Sequence, residues 1–267
     1  MEILVGIIIF ILGLCFGSFV NMLIYRTALR YKLTKSQFLI SNDKKKRSFC
    51  DYCGKQLKWY ENIPVFSWLF LKGKTKCCHK KLPVSYPVVE LTTGLLFLIF
   101  NLKFEIFNQI QIFNFQFLIG LVIVVLLVFS AVFDWKYMIL PDFSTIILII
   151  ISFLNLLINK ENIFLNLLMA LVSAGFLLVL NLITKGKGMG MGDVKLAIFM
   201  GLFLGYPKII VAFYVAFIVG AIYGLTLMVF KKANKKSQVP FGPFLILGIL
   251  IVWFWGDQII KFIMSNL

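Results

Sequence analysis

The chain has 267 residues, of which 61% are hydrophobic and only 14% are charged, and its mean hydropathy is +0.95. Soluble globular proteins carry roughly 25% charged residues, so this composition excludes a soluble globule and indicates a membrane protein. The formal net charge of +16 would indicate a nucleic-acid partner in a soluble protein. In a membrane protein such charge is explained by orientation in the bilayer, and no nucleic-acid partner is expected.

Long apolar segments recur along the whole chain, and a helix that crosses a bilayer needs about 20 such residues. The segments are residues 3–25, 84–102, 116–134, 139–159, 162–184, the shorter 193–206, 208–230 and 240–263. No basic residue precedes the first segment, so we expect a retained helix and not a signal peptide. The sequence therefore predicts an all-α polytopic membrane protein with about eight transmembrane helices. Its predicted parts are transmembrane helix 1 (1–25), a small cytoplasmic domain (26–83) and a seven-helix transmembrane domain (84–267).

The basic residues predict how the chain lies across the membrane. Residues 26–83 contain 15 of the 27 Lys and Arg residues. With eight spans, the basic residues on the opposite side of the membrane are only Lys103, Lys160, Lys208 and Lys261. Loops rich in Lys and Arg stay in the cytoplasm, so we expect residues 26–83 to be cytoplasmic and the N-terminus to be outside.

Three aspartates fall at the predicted cytoplasmic ends of the spans. Asp134 ends the third span before a predicted turn at residues 135–137, Asp142 begins the fourth, and Asp193 begins the sixth. A carboxylate in hydrocarbon costs several kcal/mol by most estimates, so these residues are functional candidates. Asp142 follows Pro141 and fits the start of a helix at least as well as a catalytic role.

Asp134 and Asp193 together suit the activation of water. Two carboxyl groups that are close in a site of low dielectric share a proton, so one can act as a base while the other polarises a carbonyl group. Asp193 follows the glycine-rich run Gly188-Met189-Gly190-Met191-Gly192, and glycine lets a backbone or a substrate approach closely. The pattern therefore indicates an aspartic protease within the membrane.

Four of the five cysteines lie in the basic region. Cys50-Asp51-Tyr52-Cys53 is a C-x-x-C motif, and Cys77-Cys78-His79 follows it. Thiolates at such spacing in a reducing compartment favour a tetrahedral structural zinc site. Thr75 stands where a second C-x-x-C would begin, so either Cys77 or His79 would have to complete the set. The predicted metal ligands are Cys50, Cys53, Cys77 and Cys78.

Taken in order, the motifs of the chain resemble those of the type IV prepilin peptidases. These are polytopic aspartyl proteases of bacterial pilus, competence and type II secretion systems. The motifs are Phe16-Gly17-Ser18-Phe19-Val20-Asn21, Cys50-x-x-Cys53, Asn62-Ile63-Pro64, Tyr86-Pro87-x-x-Glu90, Leu140-Pro141-Asp142, Gly190-x-Gly192-Asp193-x-Lys195 and Pro240-Phe241-Gly242-Pro243-Phe244. The resemblance implies that Asp134 and Asp193 are the two catalytic aspartates. The predicted supporting residues are Gly190, Gly192, Asp142, Lys195 and Glu90.

The resemblance also implies a substrate and a second reaction. The enzyme would remove the short basic leader from type IV prepilins or pseudopilins at the cytoplasmic face of the bacterial inner membrane, in contact with the lipid bilayer. Many members also methylate the new N-terminal amine with S-adenosylmethionine, an activity associated with the region at residues 26–83. In that region Glu61 and Asn62 are predicted to contact the substrate or the cofactor. If the zinc site is lost, proteolysis could survive while methylation fails.

Three other readings of the sequence stay open. The chain could be a peptidase without methylation, or a presenilin-like protease, which shares the G-x-G-D motif and cuts within transmembrane segments. A transporter would also place acids in a helix bundle, but it more often has an internal repeat and broken helices near the middle of the bilayer. No repeat is found in this sequence, and the aspartates are predicted near one membrane surface.

Overall fold

The computed structural model describes residues 2–34, 48–50, 52–108, 115–159, 162–186, 188–230 and 239–266. The described residues are helical apart from short turns and two isolated antiparallel β-bridges, which confirms the predicted all-α class. The chain divides into two compact units, Met1–Phe129 and Ser130–Leu267.

The first unit is built on two packed helices. Its elements are α1 (Glu2–Arg30), a 3-10 turn (Trp59–Asn62), the short α2 (Phe66–Phe70), α3 (Ser85–Asn108) and the beginning of α4 (Phe115–Tyr137). Glycines bring α1 and α3 together, because a Cβ atom on Gly13 would lie 2.8 Å from the Cα of Gly94. A Cβ on Gly17 would lie 2.6 Å from the Cα of Glu90. Small residues four apart let helix backbones approach closely in membranes, and this packing fixes Glu90 against α1.

The second unit surrounds one short helix. It contains the end of α4, then α5 (Asp142–Asn159), α6 (Ile163–Ile183), α7 (Met191–Leu204), α8 (Lys208–Val229) and α9 (Gly242–Ser265). Helix α7 packs against the four helices α5, α6, α8 and α9. It is apolar on all sides, as expected for a helix enclosed by others. Ser173 of α6 donates a hydrogen bond of 2.8 Å to the carbonyl oxygen of Ala197 in α7, which fixes their register.

Seven helices in the described residues are long and apolar enough to cross a membrane, namely α1, α3, α4, α5, α6, α8 and α9. The remaining predicted segment, residues 193–206, is also a helix, α7, but it has only 14 residues. At 1.5 Å per residue it is about 21 Å long, which is less than the roughly 30 Å of a hydrocarbon core. Among the described residues, seven helices are therefore of spanning length, and α7 is shorter and largely buried.

Two predicted boundaries differ from the structure. Helix α1 continues to Arg30 and does not end at residue 25, because Thr27 and Ala28 still pack in buried positions. Residues 135–137, predicted as a turn, form the last turn of α4, and the chain changes direction at Met138, which has a positive φ of 54°. Asp134 consequently lies within the last turn of α4 and is not its final residue.

Candidate active site

Asp134 and Asp193 line one cavity of the second unit, with a volume of about 310 Å³. Asp134 comes from the last turns of α4 and Asp193 from the first turn of α7. Their side chains are buried, with only 5% and 7% of their surface exposed. The two carboxyl groups are close enough for the charge of Asp193 to act directly on Asp134. Both residues predicted as a pair from the sequence therefore line the same cavity.

A backbone amide holds each of the two carboxyl groups. The N–H of Gly242 donates to Oδ2 of Asp134 over 3.1 Å, and the N–H of Gly190 donates to Oδ2 of Asp193 over 2.9 Å. Such bonds fix the orientation of a buried carboxyl group and compensate part of the cost of burying it. Gly242 was not among the site residues predicted from the sequence, although it lies in the Pro240–Phe244 motif that resembles the family.

The glycines around the aspartates differ in how tightly they are packed. A Cβ on Gly192 would lie 2.8 Å from the Cβ of Leu140, so the α4–α5 turn packs directly on the start of α7. A Cβ on Gly242 would lie 2.6 Å from Oδ2 of Asp134. A Cβ on Gly190 would meet Oδ2 of Asp193 at an ordinary contact distance of 3.8 Å. Gly192 and Gly242 are therefore required by close packing, whereas Gly190 contributes mainly its amide.

Asp142 and Lys195 also line this cavity and form an ion pair of 2.6 Å between Oδ1 and Nζ. Both side chains are largely exposed to solvent, at 59% and 41%. Asp142 is the first residue of α5, as the helix-start reading of the sequence expected. The ion pair thus lies at the exposed part of the cavity, whereas the two buried carboxyls lie inside it.

Glu90 lies in the first unit, where it lines a second cavity of about 160 Å³. Glu61 and Asn62, predicted to contact a substrate or cofactor, line the same cavity. Asn21 and Trp68 line it as well. Oδ1 of Asn21 and Nε1 of Trp68 are buried and have no hydrogen-bond partner among the described residues. Buried polar atoms are almost always bonded, so these two atoms mark a position where a polar ligand can bind.

The four predicted cysteine ligands form one cluster. The Sγ atoms of Cys50, Cys53, Cys77 and Cys78 all lie within 4.8 Å of one another. The Sγ atoms of Cys53 and Cys77 are 3.1 Å apart, and those of Cys50 and Cys78 are 3.8 Å apart. Tetrahedral zinc with Zn–S bonds of about 2.3 Å needs sulfur atoms roughly 3.8 Å apart, so the four thiols fit this ion.

Two short hairpins carry the cysteine pairs. Phe49 bridges Gln56 around the first pair, and Lys74 bridges Lys81 around the second. Thr75 lies inside the second hairpin, where its Oγ1 is 3.1 Å from Sγ of Cys78 and accepts a hydrogen bond from the N–H of Lys80. Thr75 therefore supports the hairpin from the position that a cysteine was expected to fill.

The thiols of the cluster differ in acidity. The hydrogen bond with Thr75 lowers the pKa of Cys78 to about 7. Burial raises the pKa of Cys77 to about 12 and also raises that of Cys50. Thiolate is the form that binds metal, so a metal ion in this cluster would displace protons from the thiols.

Two family models match separate parts of the chain. Residues 11–104 match the Bacterial Peptidase A24 N-terminal domain, and residues 121–225 match the Type IV leader peptidase family. The first match contains the cysteine cluster and the cavity lined by Glu90. The second contains Asp134 and Asp193.

Curated relatives align along almost the whole chain. A prepilin leader peptidase/N-methyltransferase of Bacillus subtilis is 33% identical over 96% of this chain and 96% of its own length. A protein of the same name from Legionella pneumophila is 30% identical, covering 96% of this chain and 93% of its own. Another, from Stutzerimonas stutzeri, is 30% identical over 93% of this chain and 90% of its own. No solved structure matches the chain.

Proposed function

We propose that this chain, which belongs to the type IV leader peptidase family, is a prepilin leader peptidase and N-methyltransferase that cleaves its substrate with Asp134 and Asp193. The observation that carries the assignment of residues is the burial of these two carboxyls on one cavity, each held by a backbone amide. Membership of this family argues against a transporter. The near full-length similarity to prepilin peptidases argues against a presenilin-like protease.

The two carboxyls would cleave the peptide bond without a covalent intermediate. One aspartate, ionised, takes a proton from a water molecule, which attacks the carbonyl carbon of the scissile bond. The other, protonated, donates a hydrogen bond to the carbonyl oxygen as negative charge develops there. The proton taken from water then passes to the leaving amine. The coupled pair shares its protons, so the two roles belong to the pair as a unit.

The substrates would be type IV prepilins or pseudopilins. Their leader is short and basic and precedes an apolar helix, so the scissile bond lies where a cytoplasmic segment meets the bilayer. The distribution of Lys and Arg supports placing residues 26–83 and the aspartate cavity at the cytoplasmic face of the bacterial inner membrane. The seven helices of spanning length among the described residues support a multi-pass membrane protein, which would contact lipid.

The methylation would take place in the first unit, with S-adenosylmethionine as the methyl donor. Glu61 and Asn62 would hold the donor or the peptide, since both line the cavity in which Asn21 and Trp68 present unpaired polar atoms. S-adenosylmethionine supplies an electrophilic methyl group on a positively charged sulfur. The chain's own residues would bind the peptide and orient its amine toward that group.

Zinc would stabilise the two cysteine hairpins, which contribute residues to the lining of this cavity. The Cys50–Cys53 and Cys77–Cys78 pairs would bind it and thereby join the two hairpins into one structural element. Cys50 and Thr75 line the cavity as well as belonging to the hairpins. Loss of the ion would therefore alter the methylation cavity directly.

Mass spectrometry of a prepilin incubated with the purified enzyme in detergent tests the function. With S-adenosylmethionine present, we expect the loss of the leader and the gain of one methyl group at the new N-terminus. Without it, we expect the loss of the leader alone. A product that is cleaved but never methylated would leave a peptidase only, and several authentic prepilins remaining uncut would contradict the assignment.

A further inference from the structure

We propose that the cavity of the first unit, referred to below as the Glu90 cavity, binds the N-terminal amine released by cleavage. Glu90 and Asn21 would hold this amine, and Glu90 would accept its proton before methyl transfer. The inference rests on the proposed methylation and adds the site and the residues that prepare the nucleophile.

Glu90 is a buried carboxyl group without a cationic partner in the described chain. Only 7% of its surface is exposed. Its Oε2 accepts a hydrogen bond of 2.7 Å from the N–H of Val65, and the side chains of Ser18 and Asn21 also bond to it. The ion pairs in the described part of the chain join Lys195 to Asp142 and Lys208 to Asp257. A buried carboxylate that lacks a cation favours a cationic ligand, because the ligand compensates the cost of burying the charge.

Asn21 provides a second acceptor for the same ligand. Its side chain is 5% exposed, and its Nδ2 donates to the carbonyl oxygen of Tyr86 over 3.1 Å. This bond orients the amide, while Oδ1 has no partner among the described residues. Leaving a buried acceptor unsatisfied costs about 1–3 kcal/mol, so a ligand that donates to this oxygen is favoured. An ammonium group has enough donors for both Asn21 and Glu90.

Trp68 supplies the complementary donor. Trp68 lines the same cavity, and its indole Nε1–H is buried and has no acceptor within the described ranges. A peptide presents a carbonyl oxygen one residue after its terminal amine. Residues that line this cavity thus offer two acceptors, on Glu90 and Asn21, and one donor, on Trp68. This set matches the N-terminal end of a peptide better than a free amine or a simple cation.

The carboxylate of Glu90 can perform the proton transfer that methylation requires. An α-amino group has a pKa near 7.7–8.0, so near neutral pH most of it is an ammonium ion without a free electron pair. Glu90 accepts one proton and leaves a neutral amine. The amine then forms a bond to the methyl carbon, while the electron pair of the carbon–sulfur bond stays on sulfur and neutralises it. The product is a secondary ammonium ion that leaves with its positive charge, and Glu90 gives its proton to solvent before the next turnover.

Other titratable groups face this cavity from α1, α3 and the hairpin region. They are Tyr25, Arg26, Cys50, Glu61, Lys76 and Tyr86. Nζ of Lys76 donates to the hydroxyl oxygen of Tyr60 over 3.1 Å, and Cys50 belongs to the cysteine cluster. Glu61 receives the N–H of Lys58 over 2.7 Å. Glu90 is thus the carboxyl group that lies beside the unpaired oxygen of Asn21.

The pH dependence of methylation in Glu90→Gln tests the proton transfer. Glutamine keeps an oxygen that can accept the N–H of Val65, so the fold of this region is preserved. The substrate is a synthetic peptide that begins at the mature N-terminus, which makes the assay independent of cleavage. We expect methylation at pH 6.5 to fall about 100-fold, a typical contribution of a general base, and to recover above pH 8.5 as the amine deprotonates by itself.

Thr93→Val is the matched control. Thr93 is buried on the same helix, about one turn after Glu90. Among the bonds described, its hydroxyl donates only to the carbonyl oxygen of Val89. We expect it to keep the wild-type pH profile. Equal loss of methylation by Glu90→Gln at every pH, or loss of leader cleavage in parallel, would assign Glu90 a structural role and overturn the proposal. A wild-type enzyme that cleaves but never methylates would instead contradict the proposed function.

Peptide binding without any methyl donor gives a second readout. Fluorescence anisotropy would compare labelled peptides with a free or an acetylated α-amino group. The wild-type protein should bind the free amine at least tenfold more tightly, and Asn21→Leu and Glu90→Gln should lose this discrimination. Equal affinity of the wild-type protein for both peptides would overturn the proposal, whatever the methylation rate.

Discussion

Two of the cavities among the described residues use buried carboxyl groups in opposite ways. The aspartate cavity is lined by two buried acids, and each receives one backbone amide. In the Glu90 cavity, a single acid receives the N–H of Val65 and lies beside an unpaired amide oxygen. A pair of acids can share a proton and activate water, whereas a lone carboxylate attracts a cation. One small membrane protein would therefore carry out hydrolysis in the aspartate cavity and group transfer in the Glu90 cavity.

The largest expected effect follows removal of one acid from the aspartate pair. Asp134→Asn and Asp193→Asn keep the size of the side chain but abolish its role in proton transfer, so cleavage should fall by about 10²–10⁴-fold. Both variants should still methylate a peptide that begins at the mature N-terminus. The control is Asp257→Asn, which loses only an exposed ion pair with Lys208. Cleavage at the wild-type rate by either catalytic variant would contradict the account.

The next effect separates the two glycines of the Gly190-x-Gly192-Asp193 motif. Alanine at position 192 would push against Leu140, and the start of α7 would have to move with Asp193. A displacement of about 1 Å in a catalytic group costs roughly 100-fold in rate, so we expect a loss of that size in kcat for Gly192→Ala. Gly190→Ala should stay within a few fold, because its Cβ has room and its N–H is kept. Equal defects in both variants would show that packing against Leu140 does not position Asp193.

A third expected effect concerns methylation alone. Cys53→Ser and Cys77→Ser should lower the zinc content measured by elemental analysis and reduce methylation, because the two hairpins are no longer joined. Cleavage should persist, since the aspartates lie in the other unit. Cys15→Ser, which changes an exposed thiol of α1, is the control and should leave metal and methylation unchanged. Full zinc content in both Cys53→Ser and Cys77→Ser would contradict the four-cysteine site.

The smallest effect is expected at the exposed ion pair. Asp142 and Lys195 are both well solvated, and such pairs contribute at most about 1 kcal/mol to stability. Asp142→Asn should therefore change the thermal midpoint by a few degrees and the cleavage rate by only a few fold. A rate loss comparable to that of Asp193→Asn would place Asp142 within the catalytic machinery.

The sequence predicted the aspartate pair because its signals are local. Asp134 ends one apolar segment and Asp193 begins another. The order of the segments and the positions of the basic loops predict that both residues lie at the same membrane surface. The fold class followed from composition for the same reason. Helix ends were less predictable, because Trp135–Tyr137 could continue α4 or form a turn, and the packing of the unit decides between them.

The Glu90 cavity was not predictable in the same way. Asn21, Trp68 and Glu90 come from α1, α2 and α3, and no spacing in the sequence connects them. Their proximity depends on the glycine contacts between α1 and α3 and on the hydrogen bond between Val65 and Glu90. The Gly13-x-x-x-Gly17 spacing was the one sequence signal for this packing. For the cysteine cluster, the sequence predicted Cys77 as a ligand with His79 as the alternative, and the second hairpin places Cys77 beside Cys53.

Mixing two defective enzymes tests the separation of the two chemistries most directly. Asp193→Asn and Glu90→Gln would be incubated together in detergent at pH 6.5, with a prepilin and S-adenosylmethionine, and the products weighed by mass spectrometry. Neither variant alone should yield methylated mature pilin, whereas the mixture should, because one cleaves the leader and the other methylates the released peptide. If the mixture yields only cleaved, unmethylated pilin while Asp193→Asn alone methylates a synthetic mature peptide, cleaved pilin reaches the methylation site only within the molecule that cleaved it. That result would contradict the account of two independent cavities.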